Sequence, residues 1–173
     1  MPLHSFNGTS PRVADDAFVA PGAQIVGNVE LHEEASVWYN CVLRADVQTI
    51  VVGARSNIQD GSVVHVTRKT HGTFIGTDCL IGHMAMIHGC TLHDHSFVGL
   101  GAIVMDACTI ETDAMLAAGA LLTPGKTIPA GELWAGRPAK FLRRLTEDDI
   151  GRNRAGASGY VDLARMHRQE IGA

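Results

Sequence analysis

Residues 92–128 read LHDHSFVGLGAIVMDACTIETDAMLAAGALLTPGKTI, with an aliphatic residue at every sixth position: Leu92, Val98, Val104, Ile110, Leu116, Leu122 and Ile128. A helix repeats near 3.6 residues and a half-buried strand every two, so this period belongs to neither. It marks a hexapeptide β-helix, in which each hexapeptide supplies one short parallel strand and stacked coils share a continuous core. Three hexapeptides close a triangular coil. The aliphatic side chain fills the interior, and the residue two positions earlier turns a corner and must be small. Ser96, Ala102, Cys108, Ala114 and Ala120 fill that column.

The period extends outward to Ile75, Ile81 and Ile87, to Val52, Ile58 and Val64, and to Val19, Ile25, Leu31, Val37 and Leu43. All four cysteines, Cys41, Cys79, Cys90 and Cys108, fall in the small column, and no CxxC pair exists. They read as reduced, inert packing residues. The interruptions are informative. Leu43 to Val52 spans nine residues, which places an insertion near Asp46–Thr49. Val64 to Ile75 spans eleven, so a loop around Thr67–Gly72 leaves the solenoid, and Ile87 to Leu92 is one residue short.

Past Ile128 the small column holds Lys126 and Glu132, which makes Trp134 the expected last interior residue and Gly136-Arg137-Pro138 an exit turn. Thr146 before Glu147, Asp148 and Asp149 is a helix start, a capping hydroxyl followed by acids at the positive end of the dipole. The helix is expected to reach about Gln169, with a break near Gly156 because Gly151, Gly156 and Gly159 weaken it. The expected architecture is thus an all-β solenoid, a three-sided parallel β-helix over residues 1–135, with an exit turn and a C-terminal α-helix packed on it over 136–173.

A net charge of −4 without a basic cluster argues against nucleic acid as a partner. Met1–Arg12 lacks the apolar core of a signal peptide and no stretch is long enough to span a membrane, so the expected location is cytoplasmic.

A fixed repeat places side chains in space. With the anchors 52, 75 and 92 on face one, those at 58, 81 and 98 lie on face two, and those at 64, 87 and 104 on face three. His65 follows Val64 and His88 follows Ile87, so both occupy one slot of face three, one coil apart. Stacked strands lie about 4.8 Å apart. Two imidazoles at that spacing can share a metal whose bonds to nitrogen are about 2.0–2.1 Å.

His83, two residues after Ile81, sits on face two. A six-residue face spans about 15–20 Å, so His83 reaches the metal of a neighbouring chain rather than its own. The arrangement predicts a homotrimer with three sites, each built from His65 and His88 of one chain and His83 of the next. Arg44 stacks beneath His65, and Asp60 shares the face-two slot of His83, so the two are expected to meet across the same boundary. They either fix the ligands' surroundings or only hold the trimer together.

The segments Leu43-Arg44-Ala45-Asp46, Asn57-Ile58-Gln59-Asp60-Gly61 leading to His65, Ile81-Gly82-His83, and Ile87-His88-Gly89-Cys90-Thr91 resemble the gamma class of carbonic anhydrases and its hexapeptide-repeat relatives. Gly136-Arg137-Pro138-Ala139-Lys140 resembles that family's solenoid exit, and Tyr160-Val161 a motif of its C-terminal helix. The resemblance implies a left-handed β-helix. It also implies zinc or ferrous iron on three histidines at trimer interfaces, and reversible hydration of CO2 to bicarbonate by a hydroxide on that metal.

By position, Gln59 would orient the attacking water or bicarbonate, and Tyr160 would line the site from the helix. The chain departs from the archaeal pattern of the family at Val47, where that pattern has a glutamate after Arg-x-Asp. It departs again in the short basic run Arg68-Lys69-Thr70-His71, which stands in place of a long acidic loop. Weak activity is therefore expected. The alternatives are a metal-dependent thioester hydrolase acting on a CoA-linked substrate, and a non-catalytic scaffold trimer. A metal-free acyltransferase is disfavoured, because the candidate histidines are all accounted for as ligands.

Overall fold

A computed structural model describes residues 3–171 of the chain. They form a parallel β-solenoid with one C-terminal helix. Face three stacks the start of strand Val42–Val52, then Val63–His65, Met86–His88, Ile103–Val104 and Leu121–Leu122. Face two stacks seven parallel strands from Phe18–Val19 to Glu132–Ala135. The pairings Leu43↔Val64, Ile87↔Val104, Ile58↔Ile81 and Leu92↔Ile110 put the sequence anchors in register. From Val19 to Ile128 every anchor is at most 5% exposed, and from Ala17 to Ala120 every residue of the small column at most 8%. Interior space is thus set by one aliphatic residue and one small residue per face.

The corner column gives a direct test. Ala102 is 0% exposed. Ala102→Trp is expected to lower stability by about 1–3 kcal/mol through overpacking. Urea unfolding would read this, and an unchanged midpoint would show that the corner is not packed.

Strand Val42–Val52 is eleven residues long and turns from face three to face one without ending. Gln24–Gly27 pairs with Val42–Ala45 and Val29–Leu31 with Ile50–Val52, so the insertion Asp46–Thr49 bulges opposite Asn28. The Asn28 amide donates to Thr49 Oγ1 at 2.7 Å and ties the bulge down. The loop after Val66 is closed where the Thr67 amide donates to the His71 carbonyl at 2.9 Å.

Trp134 stacks on Leu116 as the last anchor. The chain then reverses, and Lys140–Arg144 pairs antiparallel with Glu132–Ala135, a hairpin that a six-residue period does not announce. The helix Glu147–Ile171 is capped reciprocally: the Asp149 amide donates to Thr146 Oγ1 at 3.1 Å, and the Thr146 amide to Asp149 Oδ2 at 3.0 Å.

The helix does not break at Gly156, contrary to the expectation from its glycines. A Cβ on Gly156 would stand 3.1 Å from Leu80 Cδ1, so this glycine lets the helix approach face two instead of ending it. Ala157, Val161 and Ala164 are buried against the same face, and Tyr160 and His167 join Phe18 and Trp38 in an aromatic cluster. Among the described residues no helix is long and apolar enough to cross a membrane.

Candidate metal centre

On face three, His65 and His88 are register partners in adjacent strands, as their shared slot requires. Their rings are 5.1 Å apart between centroids, and His65 Nδ1 lies 3.0 Å from His88 Nε2. A carboxylate holds the far side of each ring. His65 Nε2 is 3.1 Å from Asp46 Oδ1, and His88 Nδ1 is 2.6 Å from Asp106 Oδ1.

An ionised carboxylate only accepts, so in the neutral imidazoles those outer nitrogens carry the protons. The inner nitrogens then present two lone pairs to each other across 3.0 Å. Two acceptors in that position are satisfied by a proton or a metal ion between them. Nitrogens bound to one tetrahedral metal stand about 3.3 Å apart, close to what is seen. The donor set therefore fits a divalent metal.

The carboxylates are themselves secured. Arg44 pairs with Asp46, and Thr67 Oγ1 donates to Asp106 Oδ1 at 2.9 Å. Partial burial raises the pKa of Asp46, but hydrogen bonds from His65 and Arg44 outweigh it and the group stays below the ordinary carboxylate range. Asp106 behaves alike: burial raises its pKa, and the bonds from His88 and Thr67 hold it down.

The second set lies on face two. His83 Nδ1 is 2.9 Å from Asp60 Oδ2, and its Nε2 faces the Tyr160 hydroxyl of the helix at 3.4 Å, a long and weak contact. Burial, and then the charge of Asp60, push the Tyr160 phenol up. Gln59 is buried at 5% exposure and donates to Asn57 Oδ1 at 3.0 Å, while Asn57 donates to the Cys79 carbonyl. The four cysteines are free and buried; burial pushes the Cys41 thiol up to about 11, in keeping with a packing role.

Among the described residues, hydrogen bonds and ion pairs run within each set and not between them. Among the described residues no cluster of three or more metal-capable side chains forms within one chain. His83 is 41% exposed while His65 is only 19% exposed, so the face-two histidine is the one left open to solvent. Within the single chain Arg44 reaches Asp46 rather than Asp60.

Asp106 is the residue the sequence reading missed. It lies two places beyond the anchor Val104, outside the ligand slot, and reaches back across one coil. The signal for it is Gly89, directly after His88, at φ +55. A Cβ there would fall 2.3 Å from Asp106 Oδ1.

No family model matches the chain. Gamma carbonic anhydrase 1, mitochondrial, of Arabidopsis thaliana is 46% identical over 166 residues, 93% of this chain, and the match spans 60% of the plant protein's length. A carbonic anhydrase of Geobacillus kaustophilus is 36% identical over 96% of this chain and 91% of its own length. Among solved structures, a hexapeptide transferase family protein from Anaplasma phagocytophilum is 49% identical with a TM-score of 0.91, covering 94% of this chain and 96% of that one.

Proposed function

Because this chain belongs to the gamma carbonic anhydrase family, we propose that it catalyses the reversible hydration of CO2 to bicarbonate as a metal-dependent homotrimer. The observation that carries the reading is the pair of ring nitrogens on His65 and His88, 3.0 Å apart and held from behind by Asp46 and Asp106. His65 and His88 of one chain and His83 of its neighbour would hold the metal, zinc or ferrous iron. When bound by three imidazoles with one position open, such a cation makes water acidic enough to act as a nucleophile near pH 7.

The chain's own residues do the rest. Asp46 and Asp106 orient the imidazoles by accepting from their outer ring nitrogens. Arg44 holds Asp46 in place, and Asp60 orients His83 through Nδ1. Gln59, fixed by Asn57, positions the attacking oxygen or bicarbonate, and the Tyr160 hydroxyl lines the site from the helix. The site of action is proposed to be cytoplasmic, and fractionation of cells decides this against the mitochondrial address of the plant relatives.

The test is metal analysis followed by stopped-flow CO2 hydration on one anaerobically purified sample. The expected result is one equivalent of zinc or iron per chain together with measurable hydration. A fully metallated trimer that hydrolyses a thioester but never hydrates CO2 would replace this reading with a hydrolase. Neither activity would leave a scaffold.

A further inference from the structure

We infer that Asp106 is a positioning residue of the metal centre: with Gly89 and Thr67 it fixes His88 in the Nδ1–H form, so that only Nε2 is offered to the cation. The inference rests on the metal-site reading above but is read out separately from it.

Three observations converge on Asp106. Its Oδ1 stands 2.6 Å from His88 Nδ1, the shortest of the contacts that hold the three candidate ligands to carboxylates. The same oxygen accepts from Thr67 Oγ1 at 2.9 Å, at the root of the loop that leaves the solenoid. The space for the carboxylate exists because residue 89 has no side chain: a Cβ on Gly89 would lie 2.3 Å from that oxygen and 3.3 Å from Asp106 Cγ. The backbone completes the arrangement, since the Ala107 amide donates to the Gly89 carbonyl at 2.8 Å and so sets the coil of Asp106 against the coil of His88.

The chemistry follows from these contacts. A neutral imidazole has one proton, and the carboxylate, which has none, draws it to Nδ1. The Nε2 lone pair is then free and faces His65 Nδ1. Without Asp106 the ring can carry its proton on either nitrogen and turn about its χ2 bond. Part of the population would then present an N–H where a lone pair is needed. Outer partners of this kind typically change metal affinity by about 10–100-fold when removed.

The experiment uses the full chain labelled with 15N-histidine, compared as wild type, Asp106→Ala and Asp106→Asn. In the metal-free protein, long-range 1H–15N spectra report which nitrogen of His88 is protonated. The wild type should show the Nδ1–H form and Asp106→Ala a mixture. Asp106→Asn should largely restore Nδ1–H, because its amide oxygen still accepts. Zinc affinity, measured by chelator competition, should fall about 10–100-fold in the alanine variant and less in the asparagine variant.

An unchanged His88 tautomer in Asp106→Ala overturns the inference, as does equal zinc affinity in all three proteins. Should the alanine variant fail to fold, Asp106→Asn alone decides, and a His88 spectrum with Nε2–H dominant in it counts against the inference. Wild type that shows the Nδ1–H form but binds no zinc would defeat the metal reading and leave the orienting contact standing.

Discussion

Chains carrying His83→Ala and chains carrying His88→Ala, each alone without metal or activity, are expected to recover about a quarter of the wild-type metal content and hydration when coexpressed. His83 lies on face two and the His65–His88 pair on face three, and among the described residues no hydrogen bond or ion pair joins them in one chain. A site is complete only where a chain with intact His65 and His88 meets a neighbour with intact His83. In a threefold ring each mixed trimer has one such boundary, and about three quarters of random trimers are mixed, which yields about a quarter of all sites.

Removing one of three imidazoles leaves the cation too few ligands for tight binding, so each single variant should lose metal and activity together. Because the metal would bridge subunits, its chelation should also loosen the wild-type trimer. Elemental analysis with light scattering reads both effects. A monomer that keeps a full equivalent of tightly bound metal would sink the shared-site proposal, and so would a mixture as inactive as its components.

The faces of the solenoid were legible because one interior residue per hexapeptide and one small corner residue leave the chain little freedom. Counting in sixes through a nine-residue step put Leu43 opposite Val64, where it is found, and made His65 and His88 neighbours. What escaped the count lies off that column. The residue just before most of the small corner residues is left-handed, yet it is Glu34, Asn40, Arg55, Asp78, Met84 or His95 as readily as glycine, so no residue type announces it.

Asp106 escaped because its role depends on reaching across a coil into space left by Gly89, a relation between neighbours in three dimensions. The helix was misjudged at Gly156 because propensity describes an isolated helix, whereas here the small residue allows close packing on Leu80. In each case the deciding partner was remote in sequence.

Hydration by the metallated trimer is expected to be slow in dilute buffer and to rise with imidazole concentration to a plateau, by up to about 10²-fold. After CO2 is attacked, the next water must lose a proton to something outside the site, and a positioned base is needed for that transfer to be fast. The carboxylates beside His65 and His88 do not offer one. Asp46 and Asp106 are both engaged by imidazoles and by a second donor, and both are held below the ordinary carboxylate range.

Val47 packs against the core where the archaeal pattern of the family has a glutamate, and His71 bonds to Thr70 in the loop. An external base therefore supplies the step, and it should act on kcat while leaving kcat/KM, which reports the encounter with CO2, nearly unchanged. Gln59→Ala should behave differently. Metal should stay bound, since among the described residues Gln59 makes no side-chain hydrogen bond to any of the three histidines, and the rate should fall by about 10²-fold at every imidazole concentration because the attacking oxygen loses its orienting partner. A rate already at its ceiling without added base would mean that an internal proton path exists, and His71 would be the first residue to replace. A Gln59→Ala protein whose rate is restored fully by imidazole would move Gln59 from orienting the oxygen to moving the proton.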